Sequence, residues 1–226
     1  MALILGIDDA GRGPLIGPMI LAGVLVNEKQ EKILKKAGVK DSKQLSQVER
    51  VKLAAIIREN SISFKVVKSF PKEIDEAIFS KLNLNTLEAK KTAEIINSLN
   101  AGKEKIKVVV DCPSVNIKSW TATLEKFLKH PENLEISCEH KADVHHPTVS
   151  AASILAKVAR EEEVEKIQKE FGNTGSGYPS DPVTKEFLRK NGKKFSNSGI
   201  FRKSWATWKA IFPEAGRQQA TLGEFK

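Results

Sequence analysis

The sequence predicts an α/β fold built around a largely central sheet, and two observations carry that expectation. Short runs rich in β-branched residues alternate with longer segments of helical periodicity along the whole chain. Two of those runs, one through Leu3, Ile4, Leu5 and Ile7 and the other from Ile106 to Val110, are apolar enough for buried strands, and both lead straight into aspartates. In such sheets the ligand sits beyond the carboxyl ends of the strands, which is where Asp8 and Asp111 fall. At 226 residues the chain can bury one substantial core with a small appendage.

The first strand opens into Gly6-Ile7-Asp8-Asp9-Ala10-Gly11-Arg12-Gly13-Pro14. Successive strand side chains point to opposite faces, so Asp8 and Asp9 share a site only if the strand ends between them. The glycines that follow are read as supplying that break, and they let the backbone turn sharply and approach a ligand closely. A plain turn cap would explain Asp9 alone. It does not explain a buried-strand aspartate followed by Gly-Arg-Gly.

A second strand is expected from Ile16 to Val26, paired with the first. A helix follows from Glu28 to Ala37, stopped by Gly38. A polar loop covers 39–43, and Ser46 then caps a helix reaching about Asn60. Alternation around Ile62, Phe64 and Val66 marks a third strand from Ser61 to Ser69. The stretch from Pro71 to Leu99 is mostly helical, with a break near Asn83 and Asn85. The run ending at Asp111 is closed by Pro113, an amphipathic helix covers Ser119 to Lys129, and a fifth strand from Leu134 to Cys138 leads to Asp143. From Ser150 to Phe171 the residues Ile154, Leu155, Val158, Val164 and Ile167 form one helical stripe with charges opposite, and Glu161-Glu162-Glu163 reads as a solvated face. Beyond the rigid loop that holds Tyr178 the chain is basic and helical from about Thr184, with Trp205 and Trp208 three residues apart and suited to packing on the core. The tail after Pro213 reads as extended until it finds a partner.

Composition narrows the function. Lys and Arg outnumber Asp and Glu by 37 to 28, for a net charge of +9, which favours a polyanionic partner, nucleic acid before membrane. No apolar run approaches the ~20 residues needed to span a bilayer, and the N-terminus lacks the charged region of a signal peptide. Cys112 and Cys138 cannot form a disulfide framework and suit a reducing interior, a single bridge between them staying open; the expected location is the cytoplasm. Aspartates thus arrive at strand ends or loops from three separate segments: Asp8 with Asp9, Asp111, and Asp143. A carboxylate-only donor set suits Mg²⁺ or Mn²⁺ and not zinc. Two such ions, about 3.5–4 Å apart, would support phosphodiester hydrolysis. A basic chain, an acidic cluster and a Gly-Arg-Gly loop point to a nuclease.

The chain resembles the type 2 ribonucleases H (ribonuclease HII), especially the archaeal form, over essentially its whole length. The resemblance is carried by GIDDAGRGPLIGPM at 6–19, KDSKQL at 40–45, VVVDCPSVN at 108–116, EHKADVHHPTVSAASILAKVAR at 139–160 and GSGYPSDP at 175–182. It implies a ribonuclease H-like five-stranded mixed sheet flanked by helices, with a helical C-terminal region. It also implies cleavage of the RNA strand of RNA/DNA hybrids, and cleavage at single ribonucleotides embedded in duplex DNA, leaving 3′-hydroxyl and 5′-phosphate ends. On this resemblance Asp8, Asp9, Asp111 and Asp143 are the metal-binding carboxylates, Gly11, Arg12 and Gly13 read the ribose 2′-hydroxyl, and Tyr178 packs beside that sugar. Lys43 and Lys141 are suited either to phosphate contacts or to surface ion pairs. His140, His145 and His146 read as structural. The family pattern usually has Asp-Glu where this chain has Asp8-Asp9, a side chain shorter by about 1.5 Å, which bears on rate and metal preference. A catalytically weak hybrid-binding protein is therefore the alternative; an unrelated nuclease such as a resolvase is disfavoured by the Gly-Arg-Gly loop and Tyr178.

The expected layout is a catalytic domain at 1–183, a helical region at 184–213 packed on it, and a tail at 214–226. In that tail Gln219, Leu222 and Phe225 fit the spacing of a sliding-clamp binding box. The protein is expected to act as a monomer, with no membrane partner.

Overall fold

The computed structural model describes residues 3–40 and 42–213. Gln219, Leu222 and Phe225 lie outside the described residues. Among the described residues the chain forms β1 (Leu3–Ala10), β2 (Met19–Asn27), α1 (Glu28–Lys36), α2 (Gln47–Asn60), β3 (Ser63–Ser69), α3 (Pro71–Phe79), α4 (Leu84–Leu99), β4 (Ile106–Asp111), α5 (Ile117–Glu125), β5 (Leu134–Glu139), α6 (Ala142–His145), α7 (Pro147–Phe171), α8 (Pro182–Asn191) and α9 (Ala206–Ile211), with a 3₁₀ turn at Ser42–Gln44. Local chemistry sets many of these boundaries. Asn27 with Gln30, and Ser46 with Glu49, make reciprocal capping boxes that start α1 and α2. Asn83 accepts the Thr86 amide, and that cap starts α4 at the break expected near Asn83.

The sheet has the order β3-β2-β1-β4-β5. β1 pairs antiparallel with β2 and parallel with β4, and β4 pairs parallel with β5. Contrary to the sequence expectation, β1 does not end between Asp8 and Asp9. Both residues are in the ladder, Asp8 opposite Ala22 and Asp9 opposite Leu21, because β2 pairs with all eight residues of β1. The turn comes after Ala10, at Gly11, whose φ of +79° only glycine adopts without strain. The second strand starts at Met19, not Ile16, which instead makes a lone bridge to Phe201.

Chain contacts divide the molecule into two compact units. One comprises the chain up to Ala10, Met19–Lys68 and Asn83–Glu161, and holds the whole five-stranded sheet apart from the last residue of β3. One of its cores joins Ile20, Ala22, Val24 and Val26 of β2 to Leu34 of α1, Leu53 and Ile57 of α2, and the first half of α7. α7 departs from the expected stripe: from Thr148 to Ala159 only Lys157 is not buried, because the sheet lies on one side and other helices share the same core. The expected solvated glutamate run is also not uniform. Glu162 is exposed, but Glu161 pairs with Arg50 at 2.5 Å and Glu163 is buried. Cys112 and Cys138 are free thiols. The second unit comprises Gly11–Pro18, Ser69–Leu82 and the chain from Glu162 onward. Its core gathers Leu15, Ile16, Phe187, Leu188, Phe201 and Trp208, so Trp208 packs inside as the sequence suggests. No helix among the described residues is long and apolar enough to cross a membrane.

Gly6 fixes how closely α7 approaches β1. A Cβ there would lie 2.4–2.5 Å from backbone atoms of Thr148 and Val149, where nothing flexible can yield. Gly6→Ala is expected to destabilise the protein by about 1–3 kcal/mol, the usual cost of overpacking, read as a lower urea midpoint; an unchanged midpoint would rule out this close approach.

Candidate active site

Register delivers the first two carboxylates. Ile7 pairs with Val110 across parallel strands β1 and β4, so the next residues, Asp8 and Asp111, leave the sheet side by side on one face. Asp111 in turn pairs with Glu139 at the end of β5. Lys141 then takes a left-handed conformation, φ +58°, which turns the chain into α6 and places Asp143 in its first turn. As a result Asp8, Asp111 and Asp143 each present an oxygen within 4.8 Å of the other two.

Asp8 and Asp143 are buried and Asp111 is half-buried. Burial, then the charges of Asp9 and Asp111, hold the Asp8 carboxyl well above its ordinary range, against hydrogen bonds from Ser153 and the Asp9 amide. Burial and the neighbouring Asp143 raise Asp111, opposed by the amides of Ala142 and Lys141 and by the charge of Lys43. The Ala142 amide donates to Asp111 Oδ1 at 3.3 Å. Lys43 Nζ stands 3.7 Å from Asp143 Oδ2. The buried Asp143 Oδ1 accepts no hydrogen bond from the described residues. Three crowded carboxylates, one with an unpartnered buried oxygen, fit a hard divalent cation: the donors are all oxygen, and their repulsion is relieved by positive charge.

Asp9 is not in this group. It shares its sheet face with Ile7 and Leu21, opposite to Asp8, as strand alternation requires. There it lines a crevice with Glu88 and Thr92 of α4 and with Trp120 of α5, a crevice that Asp8 and Asp111 also reach. Of the histidines, His140 Nδ1 lies 3.2 Å from the Cys112 carbonyl and His146 Nε2 lies 3.0 Å from Glu139, positions that serve the local backbone and β5.

The other expected substrate residues belong to the second unit. Gly11 is buried, Arg12 half-buried and Gly13 exposed. A Cβ on Gly13 would lie 3.5 Å from the Tyr178 ring, and Tyr178 is 39% exposed. The Leu15 and Ile16 amides donate to the Gly177 carbonyl at 2.8 and 3.2 Å, which ties this loop to the tyrosine loop. Asp181 stiffens the latter by accepting the amides of Ser176 at 2.6 Å and Val183 at 2.9 Å; these bonds, that from Ser176 foremost, hold its carboxyl down at about 2.

Sequence reasoning missed a polar relay behind Asp8. Lys157 donates to Ser42 Oγ, Ser42 Oγ lies 2.9 Å from Ser153 Oγ, and the Ser153 hydroxyl lowers the Asp8 carboxyl against its burial. Both serines are fully buried. The available signal was a serine and a lysine set into an otherwise apolar stretch of helix.

The sheet order, its mixed pairing and the carboxylates at its carboxyl edge define a class, an enzyme of ribonuclease H-like fold. The chain belongs to the ribonuclease HII family of metal-dependent endoribonucleases, whose profile, described as Ribonuclease HII, matches residues 5–208. It is 42% identical over 223 residues to the ribonuclease HII of Pyrococcus furiosus, covering 97% of this chain and 96% of that protein. The crystal structure of ribonuclease H2 from Pyrococcus horikoshii superposes with a TM-score of 0.83 at 40% identity, covering 92% of this chain and 96% of that one. The structure of the PCNA:RNase HII complex from Archaeoglobus fulgidus gives 0.79 at 39% identity, with 90% and 95% covered.

Because burial and mutual repulsion raise Asp8 and Asp111 in the folded state, the folded chain binds more protons than the unfolded one above the ordinary aspartate range. Their contribution therefore favours folding at acid pH and is lost as pH rises through the folded values. Asp111→Asn is expected to raise the melting temperature of the metal-free protein near pH 7, by about 2–4 °C per kcal/mol of repulsion relieved. It should also abolish most of the further rise that Mg²⁺ or Mn²⁺ gives the parent. Thermal melts with and without cation read both effects, and an equal cation-induced rise in the two proteins would remove Asp111 from the site.

Proposed function

We propose that the protein hydrolyses the RNA strand of RNA/DNA hybrids and also cleaves at single ribonucleotides embedded in duplex DNA, leaving 3′-hydroxyl and 5′-phosphate ends. The observation that carries this reading is the mutual approach of Asp8, Asp111 and Asp143 within 4.8 Å at the carboxyl edge of the sheet. These carboxylates would hold Mg²⁺ or Mn²⁺, two ions in the substrate complex, with Asp9, outside their cluster but lining the crevice that Asp8 and Asp111 also reach, as the fourth acid. Bound there, the cations supply water activation and charge neutralisation for phosphodiester hydrolysis. The chain's own residues divide the remaining work. Ser153 orients Asp8, and Lys43 and Lys141 meet the phosphate backbone, an assignment favoured by the net charge of +9. Gly11, Arg12 and Gly13 read the 2′-hydroxyl, the group that separates RNA from DNA, and Tyr178 packs beside the sugar.

One cleavage assay tests this reading. A DNA duplex with a single ribonucleotide, and a full RNA/DNA hybrid, are incubated with the protein in Mg²⁺ and then in Mn²⁺. Cleavage of both is expected, with Asp111→Asn reducing it at least ~10²-fold, the scale of losing one electrostatic stabiliser of the transition state. Asp9→Glu, which restores the longer arm, is expected to raise the rate in Mg²⁺ more than in Mn²⁺, since octahedral Mg²⁺ is less tolerant of misplaced ligands. Binding of both substrates without cleavage in either metal would favour the hybrid-binding alternative.

We also propose that Gln219, Leu222 and Phe225 anchor the chain on a sliding clamp. The support is their spacing in the sequence and the existence of a PCNA:RNase HII complex for the Archaeoglobus fulgidus relative. Leu222→Ala with Phe225→Ala should abolish co-elution with the clamp from a sizing column while leaving cleavage unchanged. Co-elution that survives the double substitution would place the clamp contact elsewhere.

A further inference from the structure

Arg202 is fully buried. Its guanidinium donates to the Gly11 carbonyl at 2.6 Å, to the Arg12 carbonyl at 2.7 Å and, through Nε, to the Gly17 carbonyl at 3.0 Å. Its face lies 4.9 Å from the Trp205 ring, whose own Nε1–H donates to the Gly13 carbonyl at 3.0 Å. All three carbonyls of the Gly-Arg-Gly loop are thus gripped from the C-terminal region. The grip is itself anchored from α3. Asp75, also buried, accepts the amides of Lys203 at 2.7 Å and Ser204 at 2.8 Å and the Ser204 hydroxyl at 2.6 Å, which fixes the turn between Arg202 and Trp205.

A trans peptide sets each N–H opposite to the preceding carbonyl, and the chain contains no cis peptide among the described residues. Turning the Gly11 and Arg12 carbonyls toward Arg202 therefore turns the Arg12 and Gly13 amides to the other side of the loop. We propose that Arg202 and Trp205 are positioning residues for ribose recognition, acting through the loop's backbone and not by touching the substrate. The inference rests on the reading of Gly11–Gly13 as the 2′-hydroxyl reader. Its chemistry is specific: a charged fork satisfying several carbonyls at once is a task for arginine, and lysine, with one ammonium group, cannot reproduce it.

The test measures discrimination, because a merely structural residue would not change it. In an Asp111→Asn background that allows binding to be followed without cleavage, fluorescence anisotropy gives the affinity for a DNA duplex with and without one ribonucleotide. Arg202→Lys is expected to shrink the ratio of the two affinities by about tenfold, the scale of lost hydrogen bonds to a charged donor. Affinity for the all-DNA duplex should change little. Trp205→Phe keeps a ring beside Arg202 and removes only the donor to Gly13, so it carries the test if Arg202→Lys does not fold; its ratio should fall several-fold. A ratio equal to the parent's in the folded variants, or equal loss on both duplexes, overturns the positioning role alone. A parent that shows no preference for the ribonucleotide overturns the reading of the loop, and the positioning role with it.

Discussion

Parallel, in-register pairing of β1 with β4 is the constraint on which the site depends. Parallel neighbours of equal register point the same way, so an aspartate one residue past Ile7 and another one residue past Val110 must leave the sheet together. Parallel pairing of β4 with β5 and the left-handed turn at Lys141 then bring Asp143 to the same place. Two full charges 4.8 Å apart repel by on the order of 3 kcal/mol at an effective dielectric constant of 20. That repulsion is a standing cost of the metal-free fold, carried by the ladder hydrogen bonds and by the apolar core beneath them. The same cost becomes affinity when a divalent cation enters.

A second recurring device is a buried polar group that fixes something beyond itself. Behind Asp8 the Lys157 ammonium donates to Ser42, whose hydroxyl lies 2.9 Å from that of Ser153, and the Ser153 hydroxyl lowers the Asp8 carboxyl against its burial. In the other unit Asp75 does the corresponding work for backbone, organising the turn that presents Arg202 and Trp205 to three loop carbonyls. Buried charges are costly unless paired or hydrogen-bonded. Here the bonds they make fall on groups whose direction matters.

Much of this was legible in the sequence because it depends on short-range pattern. The strand runs ending in Asp8 and Asp111, the cap at Ser46, the break near Asn83, and the fifth strand leading to Asp143 follow from hydrophobic periodicity and local side-chain chemistry, and the fold brings those three acids together. The break assigned between Asp8 and Asp9 failed because strand length is set by the partner. β2 supplies pairing through Ala10, and no local signal reports that. The stripe assigned to α7 does bury Ile154, Leu155 and Val158, but it understates the burial of the first half for a related reason, since a helix covered on several sides buries its small residues all round, and alanine does not announce which way it faces. The relay through Ser42 and Ser153 joins residues 111 positions apart, and the grip of Arg202 on Gly11 spans 191. Such contacts are properties of the fold, out of reach of a motif read in isolation.

Lys43 shows how the two readings left open by the sequence can belong to one residue. Its ammonium lies 3.7 Å from Asp143, while its side chain is 69% exposed and that of Asp143 only 3%. An ion pair with one partner so exposed is worth little, of order 0–1 kcal/mol, because water competes for the ammonium and the long side chain loses entropy when held. It lowers the repulsion among the carboxylates only in part, as the raised Asp111 shows. A divalent cation drawing on the same oxygens would bring twice the charge to a shorter distance and so would outcompete the lysine for Asp143. On the proposed function the ammonium, on its flexible four-carbon stem, would then be placed to meet a phosphate. The ion pair seen here and the proposed phosphate contact would be two states of one side chain, set by which charge is present.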